Sequence, residues 1–349
     1  MKKVFKVIVN IILVLIMLLA LALLGCFIYQ KNAQKKDREL LENGGYSNLV
    51  SAGDFKMNVN IFGDGKYKII AMPGAGDSWF SVDMKQFSEY LGDDISLVAV
   101  SRPGYGLCEE TDKDVTTEYI VESTRTALKN AGVEAPYILM PHSLSGIYGT
   151  YWESTYPDEV SGVVFLDSVN EAHEVFDEYE GAGMGYKIFS KSGLARVYVE
   201  KSGLLMNHLS PKFGDDAKYA SAFYTVNDRD LSPSVTSEMK NENANMKTAW
   251  AAIKSNDIPK VYISTNFETI DDVKEYQKFN NGKVDEEEAK EMFEDSQSEE
   301  RMEYKKKRSE YINKLGNCDE VNIAGSHMIY EQKPDEVAAE IDKLIGRIK

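Results

Sequence analysis

The residues best suited to chemistry in this 349-residue chain lie between Pro136 and Tyr148. A short apolar run, Tyr137 to Met140, breaks into Pro141, His142, Ser143, Leu144, Ser145 and Gly146. An apolar run this short, stopped by proline and followed by small residues, reads as a buried strand entering a tight turn and then a helix. Ser143 falls at the apex of that turn. A serine hydroxyl is a weak nucleophile. It needs a base beside it and unpaired backbone N–H groups to receive an oxyanion, and a strand-turn-helix elbow supplies that setting. The usual pattern is G-x-S-x-G, small on both sides because strand and helix approach closely. Ser145 and Gly146 meet that requirement on the helix side, while Pro141 is the odd residue on the strand side. The competing reading of Ser143 is an ordinary helix N-cap.

The elements that would position such a serine can be followed along the chain. Met57 to Ile61 and Lys68 to Met72 read as strands joined by Gly63-Asp64-Gly65, and the second ends in Pro73-Gly74-Ala75-Gly76. Glycines directly after a buried strand let backbone N–H groups face inward. The N–H of Ala75 is the expected second oxyanion donor, with Leu144 as the first; a plain strand-end turn is the alternative. Trp79 and Phe80 would line the site or cover the core. Ile95 to Val100 is a further buried strand, followed by Ser101-Arg102-Pro103-Gly104-Tyr105-Gly106. Thr117 to Asn130 has helical spacing, broken at Gly132. After the elbow helix, Val160 to Leu166 is a strand with Asp167 at its carboxyl end, where open parallel sheets place their ligands. Ile258 to Ser264 is the next strand, and Val321 to Ala324 the last. Alternation of this kind predicts an α/β fold, a mostly parallel doubly wound sheet covered by helices on both faces.

The serial order of PGAG after one strand, RPGYG after the next, PHSLSG, and then YPDEVSGVVFLDS resembles the α/β-hydrolase fold superfamily, in particular its membrane-anchored bacterial members. The resemblance spans about Met57 to Arg347. Departures are Pro73 where that superfamily often has His, Ser101 where Asp is common, and Pro141 and Ser145 at the elbow. The resemblance implies a Ser-acid-His order. Gly325-Ser326-His327 after the last strand matches the catalytic histidine, with a structural histidine as the alternative reading. Glu268, after the Ile258 to Ser264 strand, holds the position usual for the acid. Asp167 is the second candidate and is preferred, because the loop after Glu268 departs from the pattern. The resemblance also implies a helical cap at about residues 168–257, where Gly181, Gly183 and Gly185 mark a flexible segment. His173 and His208 fall in the cap and read as surface or packing histidines. Thr269 to Leu315, rich in lysine and glutamate, reads as a solvated helical face.

The N-terminus is different in kind. Lys2, Lys3 and Lys6 precede an apolar run from Val7 to Tyr29, long enough to cross a bilayer core of roughly 30 Å as a helix. An uncleaved single-pass anchor over residues 1–36 is expected, because a signal peptide has an apolar region of only about 7 to 15 residues. The hydrolase domain then occupies 37–349 and is expected outside the cytoplasm. All 56 Asp and Glu residues lie beyond Lys36, and the formal net charge is −16, a field that repels nucleic acid and anionic lipid. Three cysteines and four histidines without metal-ligand spacing leave no disulfide framework, no metal and no cofactor to expect. A serine at the elbow favours ester, thioester or amide cleavage over the dehalogenases and epoxide hydrolases of this fold, which use aspartate there. The expected substrate is a small-molecule or lipid-like acyl compound. Two alternatives remain open at this level. One is a binding or sensor protein on a hydrolase scaffold. The other is a peptidase of the same fold, which would need cap carboxylates such as Glu178 and Glu180 to hold an ammonium group.

Overall fold

The computed structural model describes residues 2–169 and 179–348, so His173 and Glu178 lie outside the described residues. A single helix, α1 (Lys2–Asn43), opens the chain and does not stop at the expected boundary after Lys36. Its first part, through the apolar run, is exposed; it is long and apolar enough by composition to cross a membrane. Its last turns are polar and charged toward solvent, yet Leu41 is completely buried. No glycine or proline interrupts the junction, so nothing in the sequence ends the helix before Gly44-Gly45.

The core is one eight-stranded sheet with helices on both faces. In chain order it is built from β1 (Leu49–Ser51), β2 (Lys56–Phe62), β3 (Tyr67–Met72), α2 (Phe80–Phe87), β4 (Ile95–Val100), α3 (Thr117–Asn130), β5 (Tyr137–Pro141), α4 (Gly146–Thr155) and β6 (Val160–Leu166). The strand order is β1-β2-β4-β3-β5-β6-β7-β8, where β7 is Lys260–Ser264 and β8 is Cys318–Asn322. The β1–β2 and β2–β4 pairings are antiparallel, and all pairings from β4 onward are parallel. Central strands are buried on both faces, as the continuous apolar runs of β4 and β5 require. One core layer packs Ile120, Val121, Leu128, Ile147 and Trp152 against the sheet; the other packs Phe80, Met84, Phe87 and Ile341. The parallel order reverses around β3 and β5. That places the elbow after β5 beside the loop after β3, the crevice where open sheets hold ligands.

Two helical insertions surround the carboxyl ends of the strands. Between β6 and β7 lie α5 (Met184–Lys191), α6 (Leu194–Ser202), α7 (Leu204–Phe213), α8 (Ala217–Thr225) and α9 (Pro233–Ala252). Between β7 and β8 lie α10 (Ile270–Asn281), α11 (Glu286–Ser296) and α12 (Glu299–Leu315), and the chain ends with α13 (Ile329–Gln332) and α14 (Pro334–Ile345). β8 begins three residues before the Val321 to Ala324 run. Its first residues, Cys318, Asp319 and Glu320, form the sheet edge, where charge is tolerated and the apolar signal is missing.

Candidate active site

The elbow is built by close packing. β3 and β5 are in register from Lys68 opposite Tyr137 to Met72 opposite Pro141, and the His142 N–H donates to the Met72 carbonyl at 3.0 Å. Ser143 then turns with φ of 51°, a left-handed backbone that costs a side-chain-bearing residue of order 1–3 kcal/mol and persists only where surroundings impose it. Pro141 is accommodated because α4 has Gly149 against it: a Cβ there would sit 2.7 Å from the proline ring. Gly146 likewise faces Ser168, with 2.7 Å to an added Cβ. The small-residue requirement at the elbow is thus met one helical turn later than the usual pattern places it. Gly74, in the loop after β3, also comes close to Ser143, since a Cβ on it would lie 3.1 Å from the serine Cβ.

His327 lies in the loop after β8, and its Nδ1 is 2.7 Å from Asp167 Oδ2. Asp167 follows β6 with φ of 39°, its N–H held by the Ile263 carbonyl, and Thr265 donates a hydroxyl to the same Oδ2 at 2.8 Å. Burial pushes the Asp167 carboxyl up, but the hydrogen bond and charge of His327 and the Thr265 hydroxyl outweigh it and leave the group below its ordinary value. Glu268 goes elsewhere: its Oε1 accepts from Asn322 Nδ2 at 2.9 Å, on the exposed edge. Ser143, Asp167 and His327 all line one cavity of about 730 Å³. Leu144 is in the first turn beyond the elbow, where N–H groups lack helical partners, and Ala75 is in the exposed turn after β3.

Two neighbours of the site lie in motifs of the sequence but had no role assigned from it. His142 donates Nε2–H to the His327 carbonyl at 3.0 Å, and its ring lies tilted against the His327 ring with centroids 4.6 Å apart. Burial, together with the His327 charge, pushes His142 down to about 3, so it is a neutral prop. Arg102 is fully buried. Its guanidinium donates to the Pro73 carbonyl at 2.5 Å, the Gly74 carbonyl at 2.8 Å and Ser145 Oγ at 3.0 Å, and it pairs with Glu238 of α9 at 2.6 Å. Tyr148 of α4 also donates to Glu238, at 2.7 Å. One arginine from the RPGYG segment thus ties the loop after β3, the elbow helix and the cap together. The position was visible in the motif, but its partners, from 28 residues away at Gly74 to the far side of the chain at Glu238, were not.

The walls of the cavity depart from expectation. The lysine- and glutamate-rich stretch forms three helices whose inner sides, including Tyr276, Met292, Arg301, Tyr304 and Arg308, face the same cavity as Ser143. Among these Arg308 is buried and paired with Glu320 at 2.8 Å. The stretch is therefore solvated on one side only. His208 is exposed on α7, in keeping with a surface role. A further buried cluster lies where α7 meets the core. Lys212 Nζ is 3.2 Å from Asp83 Oδ1 and 2.7 Å from Glu331 Oε1, with Asp77 close enough to feel their charges. Burial pushes Asp77 up to about 7 and raises Asp83 and Glu331 as well, against the pull of Lys212.

No family model matches the chain. It is 31% identical over 219 residues to the uncharacterized protein YbdG of Bacillus subtilis, 63% of each chain, and 29% identical over 79 residues to an uncharacterized protein of Schizosaccharomyces pombe, 23% of this chain and 15% of that one. The matches thus span less than two thirds of either relative. Among solved structures, Cfl2 of Burkholderia cenocepacia superposes with a TM-score of 0.58 at 13% identity, covering 85% of this chain and 94% of that one. The epoxide hydrolase CorEH gives 0.56 at 14% identity, over 86% and 99%. A thermophilic esterase of Thermogutta terrifontis gives 0.52 at 11% identity, over 86% and 98%. With the strand order, the elbow and the helices inserted above the sheet, these likenesses establish that the chain has the α/β-hydrolase fold.

Proposed function

We propose that the chain is a membrane-anchored serine hydrolase cleaving an ester, thioester or amide through an acyl-enzyme. The observation that carries this reading is the single cavity shared by Ser143, held at a left-handed φ, and by His327, whose Nδ1 is engaged by Asp167. An ionised Asp167 fixes the proton on Nδ1 and leaves Nε2 as the base. His327 takes the Ser143 proton as the oxygen attacks the acyl carbon, the N–H groups of Leu144 and Ala75 receive the oxyanion, and His327 returns the proton to the leaving group. Water then repeats the sequence on the acyl-enzyme. Arg102 and His142 do not touch the acyl group in this mechanism; they hold the two loops that do. Glu268 has no part in it.

The length and composition of α1 support a single-pass anchor in the cell membrane; the secretory-like N-terminus is the ground for putting the hydrolase domain on the outer side in this proposal. A small-molecule or lipid-like acyl compound fits a cavity of this size, walled on one side by α10–α12. The test is fluorophosphonate labelling of the full chain in detergent. Labelling of the wild type that disappears in both Ser143→Ala and His327→Ala supports the mechanism. A folded wild type that takes no label rejects it and leaves the binding-protein reading.

A further inference from the structure

The outer face of the cap carries large apolar side chains that the fold leaves uncovered. On α5, Met184 is 73% exposed and Ile188 58%, with Tyr186 and Phe189 beside them; Tyr198 of α6 is also exposed, and on α7 Leu204 is 58% exposed. Lys187, Lys191 and Lys201 are interspersed among them. These helices are not remote from α1. Gly193, between α5 and α6, packs its backbone on the Cys26 carbonyl so closely that a Cβ would lie 2.3 Å from it. Tyr29 donates its hydroxyl to Glu200 of α6. Arg196 of α6 pairs with Asp37 at 2.6 Å, about two helical turns beyond the apolar run, so α6 follows α1 away from it.

Cys26 and Tyr29 belong to the last turn of the apolar run, and three residues of helix rise only about 4.5 Å. The α5–α6 junction is therefore fixed beside the end of the apolar run rather than above it. A helix face of aromatic and aliphatic side chains with interspersed lysines at that height has the chemistry of the boundary between acyl chains and headgroups, where such faces sink roughly 5–10 Å. Tyr186 and Phe189 also line a second cavity, of about 200 Å³, whose walls include Gln30 of α1 and Ser78 of the loop after β3. We infer that the α5–α7 face of the cap docks into the interfacial layer of the same membrane that α1 crosses. This inference rests on reading α1 as the anchor, and it makes the cap a second membrane contact of the domain.

The test uses the full chain, with Cys26 and Cys318 replaced by serine and the buried Cys108 kept, reconstituted in phosphatidylcholine nanodiscs. An environment-sensitive nitrobenzoxadiazole label is placed singly at Ile188→Cys, Leu204→Cys, Leu15→Cys and Tyr90→Cys, and spin-labelled lipid is added as quencher. Leu15 lies within the apolar run and reports the anchor itself. Tyr90 is exposed on the turn after α2 and serves as the aqueous reference. The expected result is that labels at 188 and 204 lose about half their emission or more to lipid quencher, as an interfacial depth requires, while the label at 90 does not. Quenching at 15 with none at 188 or 204 overturns the inference and leaves the anchor standing. No quenching at 15 overturns the anchor reading itself. Labels at 188 and 204 shielded from aqueous iodide but not reached by lipid quencher mean that protein covers this face, which also rejects the inference.

Discussion

Ser143 and Asp167 each end a central parallel strand in a left-handed backbone, and both are held there by hydrogen bonds across the sheet: Val169 N–H to the Ser143 carbonyl, and Asp167 N–H to the Ile263 carbonyl. Strain of this kind fixes where Oγ and the carboxylate lie before any substrate arrives. If Asp167 sets the His327 tautomer, Asp167→Asn lowers kcat on p-nitrophenyl esters by about 10³ to 10⁴-fold, the cost of presenting the wrong nitrogen. Glu268→Gln, which alters only the bond to Asn322, leaves kcat within about twofold, as surface changes away from a site do. Equal losses in both variants reject this division of roles. Residue types at Ser143 and His327 could be read from the sequence because a serine between a strand and small residues, and a histidine after the last strand, carry their own local signal. The preference for Asp167 over Glu268 had only the irregular loop after Glu268 behind it. The choice depends on which strand end faces the imidazole, and neighbouring strand ends look alike in one dimension.

At the scale of elements, the Arg102–Glu238 pair decides how the loop after β3 sits over the elbow. Both side chains are almost completely buried, and the arginine satisfies two loop carbonyls that would otherwise be stranded. Glu238→Leu leaves a buried guanidinium short of its counter-charge and costs about 3–5 kcal/mol of stability in urea unfolding, whereas Arg102→Met with Glu238→Leu recovers a substantial part of that loss. Additive losses in the double variant reject the coupling. The double variant also frees Pro73 and Gly74, so its kcat falls even where its fold is restored. Central strands such as β4 and β5 were legible from continuous apolar runs, and α3 from its spacing and the break at Gly132; its Thr116 cap shows only in the structure. The inner side of α10–α12 was not legible. Tyr276, Met292 and Tyr304 are too sparse among lysines and glutamates to mark a face, and the cavity they line exists only after β7 and β8 pair across the insertion.

For the whole molecule, cap and core meet at the Lys212 cluster, where one ammonium faces Asp83 and Glu331, with Asp77 nearby. Carboxyl groups raised by burial hold protons in the folded chain that the unfolded chain has already lost. Their contribution is fully present below the ordinary carboxylate range and declines as pH rises toward and through about 7. Wild-type chain in detergent is therefore expected to lose more stability between pH 5 and pH 8 than Asp83→Asn, in which the cluster carries one fewer acid. The same slope in both, by urea unfolding at the two pH values, rejects a role for the cluster.

The unbroken course of α1 from the apolar run to buried Leu41 has a mechanical consequence when that run is an anchor. A glycine- and serine-rich tether would let a domain swing over a wide disc of membrane. A stiff mast of about 20 Å from Gln30 to Asn43, clamped on the cap by Arg196 and Asp37, gives no such reach. The cavity of Ser143 then keeps one height and one azimuth relative to the bilayer. Encounters depend on molecules diffusing to it, laterally or from the medium, and lengthening the mast by a single residue would raise the site by about 1.5 Å and rotate it by about 100° together.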